Sequence, residues 1–108
     1  MNKDIDIVIY GATGFTGQLC VKYFQSLDLE INWAIAGRNP EKLQDVASKL
    51  ATNVEILIAD SNDEKGLRNI CSRSKVVLST AGPFHRYGSK LVKACVENGS
   101  HYVDKMKI

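Results

Sequence analysis

The sequence predicts an α/β domain: a doubly wound parallel sheet of about five strands in the order 3-2-1-4-5, with helices on both faces. Three observations predict it. Five short β-rich runs are separated by four stretches whose apolar residues recur at helical spacing. The runs are mostly apolar throughout, as expected of strands covered on both faces. And 108 residues are the size of one domain, so the alternation belongs to a single sheet.

The elements follow in order. Residues 5–10, Ile-Asp-Ile-Val-Ile-Tyr, form a run that stops at Gly11. Beyond Gly14 the period changes: Leu19, Cys20, Tyr23, Phe24 and Leu27 share one face of a helix and are its expected buried stripe. Residues 31–36 make the second strand. Asn39-Pro40 is a helix start, Asn39 as cap and Pro40 in the first position. Leu43, Val46, Ala47 and Leu50 give that helix its buried face. Residues 54–58 are the third strand. Ser61-Asn62-Asp63-Glu64 reads as a capping box, Ser61 bonding forward and Glu64 reaching back. Leu67, Ile70 and Cys71 are the stripe of the third helix, and residues 75–79 the fourth strand. Leu91, Val92, Cys95 and Val96 mark a fourth helix, stopped by Asn98-Gly99. Residues 101–103 close the series. Right-handed crossovers then put the first strand in the middle. The expected sheet core is Ile7, Val8, Ile9, Ile35, Ile56, Leu57, Val77 and Leu78.

Composition narrows the function. Fourteen basic residues against twelve acidic leave +2, with no basic stripe of the kind nucleic acid needs. Cys20, Cys71 and Cys95 have no metal-knuckle or C-x-x-C spacing. They are expected to sit reduced and half buried in helices, which suits the cytoplasm. Neither a signal peptide nor an apolar run approaching the roughly 20 residues of a membrane span is present. The expectation is therefore one cytoplasmic domain over 1–108, with no metal, no nucleic acid and no transmembrane segment.

The chemistry sits first in Gly11-Ala12-Thr13-Gly14-Phe15-Thr16-Gly17, between the first strand and the first helix. Gly11 lets the chain turn off the strand, Gly14 lets backbone approach a pyrophosphate, and Gly17 lets the helix pack tightly on the sheet. The helix N-terminus offers unpaired N–H groups and positive partial charge to phosphates. The spacing G-x-x-G-x-x-G is one residue longer than the usual dinucleotide fingerprint, and no phosphate-binding loop of the G-x-x-x-x-G-K-[ST] kind exists. This strand-loop-helix context predicts a Rossmann-like dinucleotide site.

The end of the second strand chooses the cofactor. An NAD site wants an acid there for the ribose hydroxyls. Residues 31–38 hold none and end in Arg38, whose guanidinium suits the 2′-phosphate of NADP(H). NAD(H) is thus the less favoured cofactor, and a merely solvated Arg38 is the plainer alternative. Asn39 is a helix cap whose backbone also faces the phosphate position. Asp60 follows the third strand, where such folds meet adenine, though a solvated turn carboxylate fits equally well. Ala81, Gly82 and Pro83 lie at the carboxyl edge of the fourth strand, a place for the nicotinamide ribose. His85, Arg86 and Tyr87 follow on that loop, and His101 reads as structural. No tyrosine has lysine four residues on, and no hydrolytic triad or zinc motif occurs, so the catalytic residues stay unassigned.

These residues carry a resemblance. GATGFTG at 11–17, AGRNPEKL at 36–43 and STAGPFHRYGSKLVKACVENGSHYVD at 79–104 resemble the saccharopine dehydrogenase-like oxidoreductases, which include saccharopine reductases and trans-acting enoyl reductases. The resemblance spans nearly all of residues 5–104. It implies the N-terminal NADP(H)-binding domain of a pyridine-nucleotide oxidoreductase, transferring hydride to or from an unknown substrate. It implies Gly11, Thr13, Gly14, Phe15 and Thr16 at the pyrophosphate, Arg38 at the 2′-phosphate, and residues 81–83 near the nicotinamide. Relatives continue past His-Tyr-Val-Asp into Thr-Gly-Glu and a long substrate and dimerisation domain. Here Asp104 is followed by Lys-Met-Lys-Ile, so the expectation is a shortened chain: an expressed fragment, a shortened gene product or an altered reading frame. Alone it is expected to be catalytically silent. A non-catalytic dinucleotide-binding or interaction module is the alternative, and the edge of the fifth strand is the expected place for a second copy to pair.

Overall fold

The computed structural model describes residues 3–27, 30–50, 54–60, 62–80 and 94–104, with backbone alone for 102–104. Its elements are β1 (Ile5–Tyr10), α1 (Phe15–Leu27), β2 (Trp33–Gly37), α2 (Pro40–Ser48), β3 (Glu55–Ile58), α3 (Glu64–Arg73), β4 (Ser74–Ser79) and β5 (His101–Asp104). A helical segment at 94–98 precedes β5. All pairings are parallel and the order is β3-β2-β1-β4-β5, as expected. Ile9 stands level with Ile35 on one side and Leu78 on the other.

Alternate strand residues face two helical layers. Ile9 and Ile35 pack with Val21 of α1 and with Leu43 and Val46 of α2. Val8, Tyr10, Ala34, Ala36, Leu57 and Val77 face Leu67, Ile70 and Cys71 of α3, together with Ala94 and Cys95. Of the expected core, Val8, Ile9, Ile35, Leu57 and Val77 are buried. Ile7, Ile56 and Leu78 are half-buried.

Three local expectations change. In α1 the stripe is rotated: Leu19, Tyr23 and Leu27 face solvent, in line with an exposed Phe15. Gly17 and Val21 point inward instead, flanked by half-buried Cys20 and Phe24. The cause is Gly17, whose Cα side lies against the backbone of Gly11 and Ala12. That contact sets the rotation of the helix before side-chain hydrophobicity has a say. At α3 the cap is Asp63, not Ser61. Its Oδ1 accepts the Gly66 N–H at 3.0 Å, while Asp60 Oδ1 takes the Asn62 N–H at 2.9 Å. Two carboxylates thus share the turn before α3, and Ser61 lies outside the described residues. Finally, Val96 is exposed while Ala94 and Cys95 are buried. Leu91 and Val92 also lie outside the described residues.

Other signals hold as read. Asn39 caps α2, its side chain accepting the Lys42 N–H at 3.0 Å, with Pro40 in the first turn. Gly99 has φ +72° and ends the 94–98 segment. Ser100 N–H bonds Cys95 O at 2.9 Å, and Gly99 N–H bonds Val96 O at 3.4 Å. That is the double bond pattern of a glycine-terminated helix.

Candidate functional site

The carboxyl ends of parallel strands form the edge where ligands bind in this architecture. At that edge β1 runs into the glycine loop. Gly11 has φ +87°, a conformation only glycine adopts without strain. The loop is pinned from three sides. Ala36 O of β2 accepts the Gly11 N–H at 2.8 Å and the Ala12 N–H at 3.3 Å. Gly14 N–H closes back on Gly11 O at 3.2 Å, and the Gln18 side chain donates to Thr13 O at 2.8 Å. From β4, Thr80 N–H donates to Tyr10 O at 2.9 Å, and its hydroxyl reaches Tyr10 O at 3.1 Å and Gly11 O at 3.0 Å.

Thr80 is the positioning residue that sequence reasoning passed over. Its only signal was a second hydroxyl beside Ser79 at the end of β4.

The loop's three glycines have different jobs. A Cβ on Gly17 would lie 2.1 Å from Gly11 O and 2.8 Å from Ala12 Cα, which protein backbone forbids. Among the described residues, a Cβ on Gly14 would meet nothing nearer than Gly11 O at 3.7 Å, an ordinary contact. The described residues therefore do not require glycine at 14, and Gly14 is exposed. The first α-helical bond runs from Gln18 N–H to Gly14 O at 2.9 Å. The amides of Phe15, Thr16 and Gly17 thus belong to the helix end that lacks intrahelical partners.

Beside the loop, Arg38, Asn39, Pro40, Glu41 and Asp60 line one open cleft of about 580 Å³. The structure so brings Arg38, Asn39 and Asp60 together, as their positions after β2 and β3 predict. Of these described lining residues only Arg38 is cationic; Glu41 and Asp60 are acids. Asp60 also holds the turn before α3 through the Asn62 N–H. Ala81, Gly82, Pro83, His85, Arg86 and Tyr87 lie outside the described residues. His101 is exposed at the start of β5. No group of three or more His, Cys, Asp or Glu fit to hold a metal occurs among the described residues. None of the described helices is long and apolar enough to cross a membrane.

Under the cleft, the Tyr10 hydroxyl donates to Ala59 O at 2.9 Å and ties the end of β1 to the end of β3. Burial, then the nearby Asp60 carboxylate, push the phenol up to about 12. The unfolded phenol ionises near 10, so the neutral form's contribution is whole below that pH. It drains away as the pH rises through about 12. The loss is roughly 2–3 kcal/mol. Tyr10→Phe is expected to cost about 1 kcal/mol at neutral pH and to flatten the fall in stability between these two values. Urea unfolding at stepped alkaline pH checks it: identical alkaline limbs for parent and variant would show that Tyr10 is not the group titrating.

A family model described as "Saccharopine dehydrogenase NADP binding domain" matches residues 7–108. A trans-acting enoyl reductase of Mycobacterium ulcerans is 38% identical over 105 residues, covering 94% of this chain and 25% of that protein. The Caenorhabditis elegans "Lipid droplet localized protein" is 39% identical over 108 residues, covering 92% of this chain and 25% of that protein. The chain thus spans about a quarter of the length of the curated relatives it matches. Among solved structures, apo saccharopine dehydrogenase (L-Glu forming) from Saccharomyces cerevisiae superposes with a TM-score of 0.79 at 21% identity, over 96% of this chain and 22% of that one. Triphenylmethane reductase of Citrobacter sp., complexed with NADP(H), gives 0.76 at 23% identity, over 92% and 36%. These two likenesses show the Rossmann-like fold. The family match begins inside β1 and runs past β5, taking in the glycine loop, Arg38 and every helix described here, and the chain belongs to the saccharopine dehydrogenase NADP-binding domain family.

Proposed function

We propose that this chain is a single domain that holds NADP(H) for a reductase of this family. In this reading Gly11, Ala12, Thr13, Gly14, Phe15, Thr16 and Gly17 cradle the pyrophosphate. Arg38 and the backbone at Asn39 take the 2′-phosphate, Asp60 borders adenine, and Ala81, Gly82 and Pro83 flank the nicotinamide ribose. The observation that carries it is the open space at Gly14. Among the described residues nothing fills the position a side chain would occupy there, yet the loop around it is braced from two neighbouring strands. A rigid loop that leaves backbone bare beside free helix amides fits a pyrophosphate. The cleft with Arg38 as its described cation fits the extra phosphate. The residues present therefore fit NADP(H).

When bound, NADP(H) supplies a hydride donor or acceptor at its nicotinamide. What the chain does is bind and orient. The amides and the helix end neutralise the pyrophosphate, Arg38 selects the phosphorylated ribose, and the Tyr10–Ala59 bond keeps β1 and β3 at fixed separation below. The hydride's other partner, a substrate, is taken up by the longer protein of which the curated relatives are examples. The absence of a membrane-crossing helix among the described residues and the free thiols support a cytoplasmic setting.

The test is calorimetric titration with NADPH and NADH. A hydrogen bond to a charged group is worth roughly 1.5–3 kcal/mol, so NADPH is expected to bind about 10- to 150-fold more tightly. Arg38→Ala should erase most of that preference and leave NADH nearly unchanged. Equal affinities for the two cofactors in the parent chain would overturn the assignment of Arg38.

A further inference from the structure

Two of the three cysteines meet. Cys71, on α3, and Cys95, in the 94–98 segment, have their Sγ atoms 3.1 Å apart. Both are free thiols and both are fully buried. Their backbones are already tied. Lys3 Nζ donates to Cys71 O and to Asn98 O, each at 2.8 Å. Ser100 Oγ donates to Cys71 O, and sits 2.6 Å from Ser74 O. Cys20 is elsewhere: it packs with the α1 and α2 cluster on the opposite face of the sheet.

We propose that Cys71 and Cys95 form an oxidisable pair, closing to a disulfide in the folded chain when a hydroperoxide is supplied. A disulfide needs its sulfurs about 2.05 Å apart, so each has to move by roughly half an ångström from the present contact. The pair spans residues 71–95, so closure would enclose β4 and residues 80–94 in one covalent ring.

The step balances without further reagents. The Cys95 thiolate attacks one peroxide oxygen, the O–O bond breaks, and with a proton the leaving oxygen departs as water (or as an alcohol from an alkyl hydroperoxide). Cys95 is then a sulfenic acid. The Cys71 sulfur attacks that sulfur, the S–O bond breaks, and a second water leaves with the Cys71 proton. Two thiols are oxidised by two electrons and one peroxide is reduced by two. Cys95 serves as the first nucleophile because its bond with the Cys71 sulfur, with the Lys3 ammonium helping, holds its thiol below the ordinary range. The same bond, with burial, pushes Cys71 up. Since both sulfurs are buried, the peroxide enters through local opening, and the closed pair is slower to form than oxidation of the partly exposed Cys20.

The experiment oxidises the full chain with hydrogen peroxide, blocks remaining thiols with N-ethylmaleimide after unfolding, and maps peptides without reduction. The expected product is a Cys71–Cys95 link in most chains, reversed by dithiothreitol, and unchanged in Cys20→Ser. It should be absent in Cys71→Ser and in Cys95→Ser. The parent's thermal midpoint should rise on oxidation by on the order of 10 °C, and neither single variant should show the rise. Urea-unfolded chain treated alike sets the baseline of mixed pairings. Native chain that gives that same mixture, or leaves Cys71 and Cys95 open to alkylation, overturns the proposal. So does a Cys71–Cys95 link that lowers the midpoint, because it would show that the native packing has to be broken to make it.

Discussion

Gly14→Val is expected to weaken NADPH binding by at least about 100-fold while the domain stays folded. The direction of a side chain at Gly14 is open: among the described residues the nearest atom to a new Cβ is Gly11 O at 3.7 Å. A branched side chain there would stand where the proposed pyrophosphate lies and lift it from the amides of Phe15 and Thr16. Each charge-assisted bond lost is worth roughly 1.5–3 kcal/mol, and two of them exceed the roughly 2.7 kcal/mol that makes a factor of 100. The fold should lose little, because glycine and valine at a helix cap differ by about 1 kcal/mol. Calorimetry with NADPH, beside far-UV circular dichroism, checks both halves. Undiminished affinity would show that the phosphates lie elsewhere.

Gly17→Ala should do the reverse: break the fold, because its new Cβ is driven into the protein's own backbone and not toward the ligand. Its Cβ would lie 2.1 Å from Gly11 O and within 3 Å of two further backbone atoms of Ala12. None of these is the tip of a flexible side chain, so α1 must shift off the sheet. Alanine's better helix propensity returns about 1 kcal/mol. Overpacking typically costs 1–3 kcal/mol and more against backbone, and the expected net loss is about 3 kcal/mol. For a domain of this size that is a fall of roughly 10–20 °C in thermal midpoint. A midpoint within a degree of the parent's would show that α1 has slack the structure does not display. Together the two substitutions separate the loop's two duties, close packing at one glycine and ligand access at another three residues earlier.

How much of this was legible in the sequence depends on what each feature rests upon. Strand order follows from alternation and crossover handedness alone, so it was readable in full. The caps at Asn39 and Gly99 were readable because their signals are local and chemically specific. The face of α1 was not. Leu19, Tyr23 and Leu27 satisfy a helical period as well as the true buried set does, and a glycine contact decided between them. A periodicity argument weighs side chains and is blind to a residue that packs by having none. The cap of α3 was missed because Ser61, Asp60 and Asp63 all carry capping oxygens, and only the path of the chain selects among them. For the candidate site, the place of the glycine loop after β1 and of Arg38 after β2 was readable as motif and position. Thr80 and the Cys71–Cys95 contact were not, since both join residues far apart in sequence that bear no common pattern.

The carbonyl of Ala36 has a consequence of another kind. It takes the amides of Gly11 and Ala12 at once, and it stands two residues before Arg38. The mouth of the glycine loop and the root of the arginine are therefore one stiff piece, and the gap between them acts as a gauge. Under the proposed assignment, that gauge reads the separation of two phosphate groups on one molecule. An adenosine ligand with its extra phosphate on the neighbouring ribose oxygen carries equal charge at the wrong spacing. It engages one end of the gauge or the other, and it is turned away by length rather than by charge.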